Sequence, residues 1–390
     1  MQVKCLIINS VCGIGSTGRI CVDIAEELSK NGHEVKIVYG REPIPDRSRN
    51  YAIRIGTDFD VKMHGLKARC FDAAGFGSTE VTKKLIAWIK SYAPDIIHLH
   101  NIHGYYINIE ILFDYLKNCG KKIIWTLHDC WSFTGHCPYF EFAGCNKWIT
   151  GCGKCPQIKE YPRSYLDLSH KNWKRKEKIF SSVSNMILVT PSQWLAELVG
   201  KSYLSGYPVK VINNSVDTSI FKPTESNIKE ENGLCDKKII LGVASEWNYR
   251  KGLNYMIDLA GKLGNEYAVV IIGVSEEQKR NLPSNVVGIL RTANAQELVK
   301  WYSSAAVFVN PTLEDNYPTT NLESIACGTP VITFNSGGSP ESARLYGAVV
   351  DKGDVDKICQ LIRNADFTNK VESLTMESMV KKYLYLYEKT

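Results

Sequence analysis

In the last third of the chain two acids stand in the pattern Asp315-x7-Glu323, with Glu314 directly before the first. A helix beginning at Thr319 would leave the N–H groups of Thr319 and Thr320 without intrahelical partners between those acids, and such a helix end favours an anion. Earlier in the chain, Arg250-Lys251-Gly252 precedes another helical stretch that starts at Leu253. A cation about 4 Å from a phosphate charge gains roughly 4 kcal/mol at an effective dielectric near 20, before desolvation. An exposed helix end contributes only about 0.3–1 kcal/mol, so a cation beside a phosphate outweighs any single amide. Carboxylates for hydroxyls and bare amides for phosphate describe a pocket for a nucleotide sugar.

The elements that must hold these groups are legible from apolar runs and their breakers. Val307–Val309 is a strand that stops at Asn310-Pro311, and an acidic loop leads to a helix from Thr319 to about Cys327. Gly328-Thr329-Pro330 breaks that helix, Val331–Phe334 is a buried-type strand, and the small-residue loop Ser336-Gly337-Gly338-Ser339-Pro340 ends at Glu341. Strand, loop, helix, strand, loop is half of a doubly wound α/β domain, whose ligands lie outside the carboxyl ends of the strands. Strands at Ile239–Ala244, Ala268–Gly273 and Val287–Leu290, with a helix at Ala295–Tyr302, supply the rest of that domain.

At Asp315-x7-Glu323, followed by Ala326-Cys327-Gly328-Thr329-Pro330-Val331, the chain resembles the retaining glycosyltransferases of the GT-B fold. The resemblance is to glycosyltransferase family 4 (glycosyl transferases group 1) and is similar to enzymes of capsular and exopolysaccharide biosynthesis. That family carries E-x7-E here, so Asp315 is one methylene shorter, and Glu314 is a neighbouring substitute. The resemblance implies an α/β architecture of two Rossmann-like, doubly wound parallel-sheet domains facing a central cleft. Residues 1–212 would form the acceptor side, completed by a C-terminal helix within 374–390 (Leu374–Glu388) that crosses back. Residues 213–373 would bind the nucleotide sugar.

The same resemblance implies catalytic roles for His103, Asp315 and Lys251. It implies donor contacts from Gly15, Arg250, Lys251, Asn316, Tyr317, Thr319, Thr320 and Glu323, with Glu323 on the ribose, and an acceptor side at Gly13, Gly15 and Ser16. Lys251-Gly252 resembles the family's diphosphate-binding lysine at the corresponding helix start, and family members usually have an arginine five residues before that lysine. Glu246 stands there, which leaves Arg250 as the candidate second cation. The donor expected is a nucleoside diphosphate hexose or N-acetylhexosamine, with uridine as base. The acceptor expected is a glycan or a polyprenyl-linked lipid in cell-surface polysaccharide synthesis. No cofactor is expected for catalysis: the departing phosphate takes the acceptor proton and the anomeric configuration is retained. A sugar-nucleotide epimerase of the same fold, or a non-catalytic nucleotide-sugar-binding partner, are the alternatives.

The N-terminal half opens with a strand at Val3–Asn9, the loop Gly13-x-Gly15-x-x-Gly18, an amphipathic helix to about Lys30 and a strand at Val35–Tyr39. As spelled, the glycines match a dinucleotide fingerprint, which would suit a nicotinamide-dependent oxidoreductase. The acid that fingerprint wants after the second strand is replaced by Tyr39-Gly40-Arg41. Residues 46–77 read as irregular, either acceptor-side loops or solvated basic surface, and a helix fits Thr79–Tyr92. The strand Ile96–Leu99 runs into three histidines. Alternation points His98 and His100 to one side as core or hinge residues and leaves His103 at the mouth. Lys121–Thr126 is the next strand and ends in Leu127-His128-Asp129.

Within an insertion at 130–160, Cys137-x7-Cys145-x6-Cys152-x2-Cys155 contains one tight Cys-Gly-Lys-Cys turn of the kind tetrahedral zinc accepts. A structural zinc clamp, buried free thiols and disulfides are the three readings. A helix over Leu166–Val183 carries Lys171, Lys174, Arg175 and Lys178 on one face and Trp173 and Phe180 on another. That pattern suits solvent or an anionic membrane surface.

The chain's 390 residues suit two domains, and 44% apolar with 23% charged residues is ordinary for a globular protein. Its net charge of +6, from 47 basic and 41 acidic residues, is too mild to argue for nucleic acid. The opening apolar run is unlike a signal peptide, and no run of about 18 apolar residues would span a bilayer. A cytoplasmic location, peripheral on the membrane face, and reduced thiols are the expectation.

Overall fold

Two groups of short apolar runs become two parallel sheets. In this computed structural model, residues 2–364, Phe367 and residues 375–388 are described. The chain divides into one unit built from residues up to Asn213 together with the chain from Met379, and a second from Asn214 to Ser378. The first unit holds β1 (Lys4–Ile8), β2 (Glu34–Tyr39), β3 (Ala52–Arg54), β4 (Ile96–Leu99), β5 (Lys122–Thr126), β6 (Met186–Thr190) and β7 (Val209–Val211). The second holds β8 (Lys238–Val243), β9 (Tyr267–Ile272), β10 (Val286–Ile289), β11 (Ala305–Asn310), β12 (Val331–Phe334) and β13 (Gly347–Val350).

The first sheet runs β3-β2-β1-β4-β5-β6-β7 and the second β10-β9-β8-β11-β12-β13. Every pairing between these strands is parallel. Parallel strands covered by helices on both faces need continuous apolar sequence, and Leu6, Ile8, Ile97, Ile123, Leu188, Leu241, Val270, Phe308 and Val331 are all fully buried. In each sheet the strand order reverses once, between β1 and β4 in the first and between β8 and β11 in the second. Such reversals open a crevice at the carboxyl ends of the two central strands.

Local signals fix many helix ends. Ser192 caps Gln193–Gly200 by accepting from Leu195 N–H, and the helix Thr319–Ala326 follows Pro318. The helix after the glycine loop starts at Gly15, so Ser16 and Gly18 sit inside it. Residues 46–77 correct the expectation of irregular surface, since they contain β3 and a helix at Asp58–Phe71 with a Thr57/Asp60 capping box. That helix escaped an amphipathic reading because Phe59, Met63, Leu66 and Phe71 face outward. The helix expected over 166–183 is shorter, Ser169–Phe180, and Ser339–Ala343 forms a short helix inside the expected small-residue loop. Trp173 is buried and its Nε1 donates to Trp148 O at 2.9 Å, so no indole faces outward beside Lys171, Lys174 and Lys178. Arg175 is drawn onto Glu110 and over the Phe76 ring.

A C-terminal helix runs Met376–Glu388, while Leu374, where it was expected to begin, lies outside the described residues. In the first unit its Tyr387 Oη meets His98 Nδ1 at 2.7 Å and its Tyr383 Oη meets Thr126 Oγ1 at 3.2 Å. In the second unit a buried polar cluster ties the helix Thr319–Ala326 to the strands beneath it. Asn310 Nδ2 donates to Asn321 Oδ1 at 2.8 Å, and Asn321 Nδ2 donates to Ser342 Oγ at 2.9 Å. Thr333 Oγ1 donates to Asn310 O at 2.7 Å and meets Ser339 Oγ at 2.8 Å. No helix among the described residues is long and apolar enough to cross a membrane.

Candidate functional site

In the second unit the chain leaves β8 through Ser245–Gly252 and leaves β11 through Pro311–Pro318, and both loops stand at the reversal of strand order. Gly252, at φ +80°, lies so close to this second loop that a Cβ would come within 2.1 Å of Pro311 O. The contact brings the cations to the acids. Lys251 Nζ meets Asp315 Oδ2 at 2.5 Å, with the two side chains 23% and 14% exposed. Arg250 Nη1 donates to Glu314 O at 2.5 Å, and Arg250 O accepts from Leu313 N–H at 2.7 Å. Burial pushes the Asp315 carboxyl up, but the charges of Lys251 and Arg250 and the N–H of Asn316 outweigh it and hold the group below the ordinary carboxylate range.

The two neighbouring acids differ in access. Glu314 is fully buried, whereas Asp315 keeps a partly open face. On its far side Asp315 is held by a second close approach: a Cβ on Gly337, at φ +56°, would come within 2.1 Å of Asp315 O, and Gly338 N–H donates to the same oxygen at 2.9 Å. Thr319 and Thr320 open the helix that follows, half-buried, and Pro318 before them offers no side-chain cap. Asn316 and Tyr317 are buried in the loop between. Glu323, one turn along that helix, is also buried, and its Oε2 accepts from Tyr302 Oη at 3.2 Å. Tyr302 carried no sequence signal, since its partner is 21 residues away.

In the first unit the loop after β1 carries Gly13 and runs into the helix that opens with Gly15 and Ser16, and the loop after β4 carries His103. They neighbour one another at the strand-order reversal, where Asn101 N–H donates to Asn9 Oδ1 at 3.1 Å. Gly13 N–H donates to Gly18 O at 3.0 Å, which closes the glycine turn. His103 Nε2 meets Asp129 Oδ2 at 2.9 Å, its Nδ1 meets Tyr161 Oη at 3.3 Å, and its ring packs against Trp131. Burial pushes the Asp129 carboxyl up, and the neighbouring His103, with the N–H of Trp131, brings it below the ordinary range.

His103, Asp129, His100, His128 and Trp131 line one cavity. Asp129 and His128 were not singled out from sequence, although a pair of titratable residues directly after a buried strand was the signal that could have found them. His98 and His100 are core histidines as expected. His98 is sandwiched between Tyr387 Oη and Thr126 Oγ1, and His100 Nδ1 meets His128 Nε2 at 2.8 Å. Burial, with the neighbouring His128, pushes His98 down to about 3, and burial pushes His128 down to about 4.

All thirteen cysteines are free thiols. Cys137, Cys145, Cys152 and Cys155 come together around one cavity, with Cys137 hydrogen-bonded to Cys155. Among the described residues no group of three or more His, Cys, Asp or Glu side chains stands arranged around a metal position.

Residues 17–220 match the family model described as Glycosyltransferase Family 4, and residues 224–366 match that for Glycosyl transferases group 1. A candidate colanic acid biosynthesis glycosyl transferase of Escherichia coli (strain K12), WcaC, is 23% identical over 402 aligned residues that cover 96% of each chain. Among solved structures, the sucrose-phosphate synthase of Thermosynechococcus elongatus superposes with a TM-score of 0.67 at 14% identity, over 98% of this chain and 94% of that one. The Anabaena protein HepE in complex with UDP superposes with a TM-score of 0.62 at 13% identity, over 98% of this chain and 95% of that one. At these identities the structural likeness speaks for the fold.

Proposed function

The chain belongs to glycosyltransferase family 4, and from that premise we propose that it moves a sugar, with retention of configuration, from a nucleoside diphosphate donor to a glycan or lipid-linked acceptor. The observation that carries this reading is the Lys251–Asp315 pair at the strand-order reversal of the second unit, at the loop that runs into the helix start of Thr319 and Thr320. A diphosphate leaving group requires compensation of negative charge as the bond to the sugar breaks. Lys251, seconded by Arg250 and the amides of Thr319 and Thr320, supplies it. Asp315, released from Lys251 when the phosphates arrive, accepts hydrogen bonds from sugar hydroxyls, with Asn316 and Tyr317 lining the loop.

Glu323 takes the ribose hydroxyls, with Tyr302 holding its carboxylate. His103, oriented by Asp129, holds the sugar as it becomes oxocarbenium-like, while Gly13, Gly15 and Ser16 serve the acceptor. The departing phosphate takes the acceptor proton. Uridine is the proposed base, supported by the UDP complex of HepE, and cell-surface polysaccharide is the proposed product, supported by the name of the WcaC relative. The donor sugar proposed is a hexose or N-acetylhexosamine.

A panel of nucleotide sugars screened by thermal shift tests the reading. A ligand that binds only the folded chain adds about 2.7 kcal/mol of stability at a hundred times its Kd, so the true donor should raise Tm and others should not. A panel of uridine, guanosine and adenosine diphosphate sugars that leaves Tm unmoved throughout would overturn it.

A further inference from the structure

Between Thr134 and Leu168 the chain forms just one single-turn helix, Lys147–Ile149, among its described residues. A structureless segment of that length inside a folded unit needs something besides backbone hydrogen bonding to hold it. Aromatic packing supplies one side, since Trp148 lies against Phe133 and Phe140 with ring centroids 5.2 and 4.9 Å away. The other side is a small cavity walled by the four thiols of Cys137, Cys145, Cys152 and Cys155, with His136 and Lys147 among its other walls.

Several features of that cavity suit sulfur ligands. Cys152-Gly153-Lys154-Cys155 is a tight turn with Lys154 in the left-handed region at φ 47°. Backbone amides already point at two of the sulfurs: Gly135 N–H donates to Cys152 Sγ at 3.2 Å and Gln157 N–H donates to Cys155. Such N–H donors are the outer contacts that orient metal-bound ligands. His136 gives Nδ1 to the Asp72 carboxylate at 2.5 Å, and its Nε2 is buried with no protein partner beside the same thiols. A dianionic tetrathiolate needs positive charge nearby. Lys147 is in the cavity wall, and the fully buried Lys176, donating to Trp131 O and Thr134 O, lies close enough to act on Cys152.

We propose that Cys137, Cys145, Cys152 and Cys155 form a structural site for one zinc ion, with His136 as an outer donor to the sulfurs. Four sulfur ligands in a site without redox or substrate groups suit zinc. Each thiol loses its proton to solvent as its Zn–S bond forms, and the Cys137–Cys155 hydrogen bond gives way to two of those bonds. A disulfide at the same place would need an oxidant that nothing in the chain supplies. The ion staples the excursion next to Asp129 and Trp131, whose loop orients His103, so its loss loosens that pocket without removing any donor contact of the second unit.

Elemental analysis of the full chain, purified without chelator, should find about one zinc per chain, because four thiolates that close in from one cavity wall bind it tightly. Release by a strong chelator should make the four thiols reactive together. Cobalt loaded in place of zinc should give the near-ultraviolet charge-transfer and intense visible bands of a tetrahedral thiolate site. Cys152→Ser and Cys155→Ser should each lower the metal content at least tenfold, whereas Cys235→Ser, at an exposed thiol, should leave it unchanged. If the serine variants fail to fold, thiol release and the cobalt spectrum of the unmodified chain decide the matter. A reduced chain that takes up neither zinc nor cobalt, or a mass two hydrogens short across these cysteines, overturns the proposal. None of these readings depends on glycosyl transfer.

Discussion

Removing Lys251 should do two things at once. In the structure its Nζ sits 2.5 Å from Asp315 Oδ2, and neither side chain is more than 23% exposed. Lys251→Ala deletes the cation proposed for the diphosphate and leaves the Asp315 carboxylate without its ion-pair partner, only Arg250 and the Asn316 N–H still favouring its charge, where phosphate would arrive. The Coulomb energy of one charge pair at about 4 Å runs from roughly 1 kcal/mol in water to roughly 4 kcal/mol at an effective dielectric near 20. Partial exposure and desolvation discount the upper figure. A net loss of at least about 1.4 kcal/mol, a tenfold weaker Kd, is expected.

Asp315→Asn should act in the opposite sense on nucleotide alone. It frees Lys251 from its internal partner, so UDP should bind as tightly as before or more tightly, while turnover of the nucleotide sugar falls at least tenfold. In the double variant, part of the affinity lost in Lys251→Ala should return, because the stranded carboxylate is gone; contacting residues are expected to couple in this way. Calorimetric titration of UDP into the four proteins, with Tm measured in parallel, completes the cycle. Unchanged UDP affinity in a folded Lys251→Ala chain would refute the assignment, and additive effects would refute the coupling.

Gly337→Ala should lower both Tm and nucleotide-sugar affinity, since its φ is +56° and its Cβ would come within 2.1 Å of Asp315 O; differential scanning fluorimetry with and without donor reads both. Asp129→Asn leaves His103 without its carboxylate partner, and kcat should fall at least tenfold with donor KM within about threefold; a loss confined to KM would contradict the positioning role. Stability should also depend on pH. His98 is held near 3 and His64 and His128 near 4, mainly by burial. The same imidazoles protonate near 6.5 in an unfolded chain, so unfolding takes up protons between those values. Stability therefore falls as pH drops from about 6.5 to about 4, by up to about 1.4 kcal/mol per pH unit for each group. Urea unfolding at pH 7 and pH 5 should show this, with a shallower dependence in His98→Gln; identical slopes would count against the buried neutral state.

What was legible from sequence lay mostly within a few residues of its own signal. The start of the helix at Thr319 and the strands Ile96–Leu99 and Val331–Phe334 all follow from neighbouring breakers and apolar runs. The two-sheet architecture followed from the same signals and from the family resemblance. The helix Asp58–Phe71 did not follow, because its large apolar side chains face solvent and spoil the inward stripe.

Long-range pairings were out of reach for a different reason. Lys251 and Asp315 are 64 residues apart, and His103 and Asp129 are 26 apart. Lys251 and Asp315 meet because their loops leave the two strands at the reversal, β8 and β11, and His103 and Asp129 meet because theirs leave the neighbouring strands β4 and β5. Lys176 makes the same point: nothing in the run Lys171–Lys178 marks it as the lysine that turns inward over the Trp131 ring.

The polar cluster of Asn310, Asn321, Thr333, Ser339 and Ser342 bears on how such a chain can change. It bolts the floor under Thr319 and Thr320 to two neighbouring strands, and a single apolar replacement would strand a buried donor or acceptor at roughly 1–3 kcal/mol. The loop above, residues 313–318, meets that cluster through main chain, where Asn321 N–H donates to Pro318 O at 3.2 Å, a bond that survives a change of side chain elsewhere in the loop. If the loop holds the sugar as proposed, sugar preference can drift by substitution there while the amide platform stays put, and chains with different donors should then differ in the roof and share the floor.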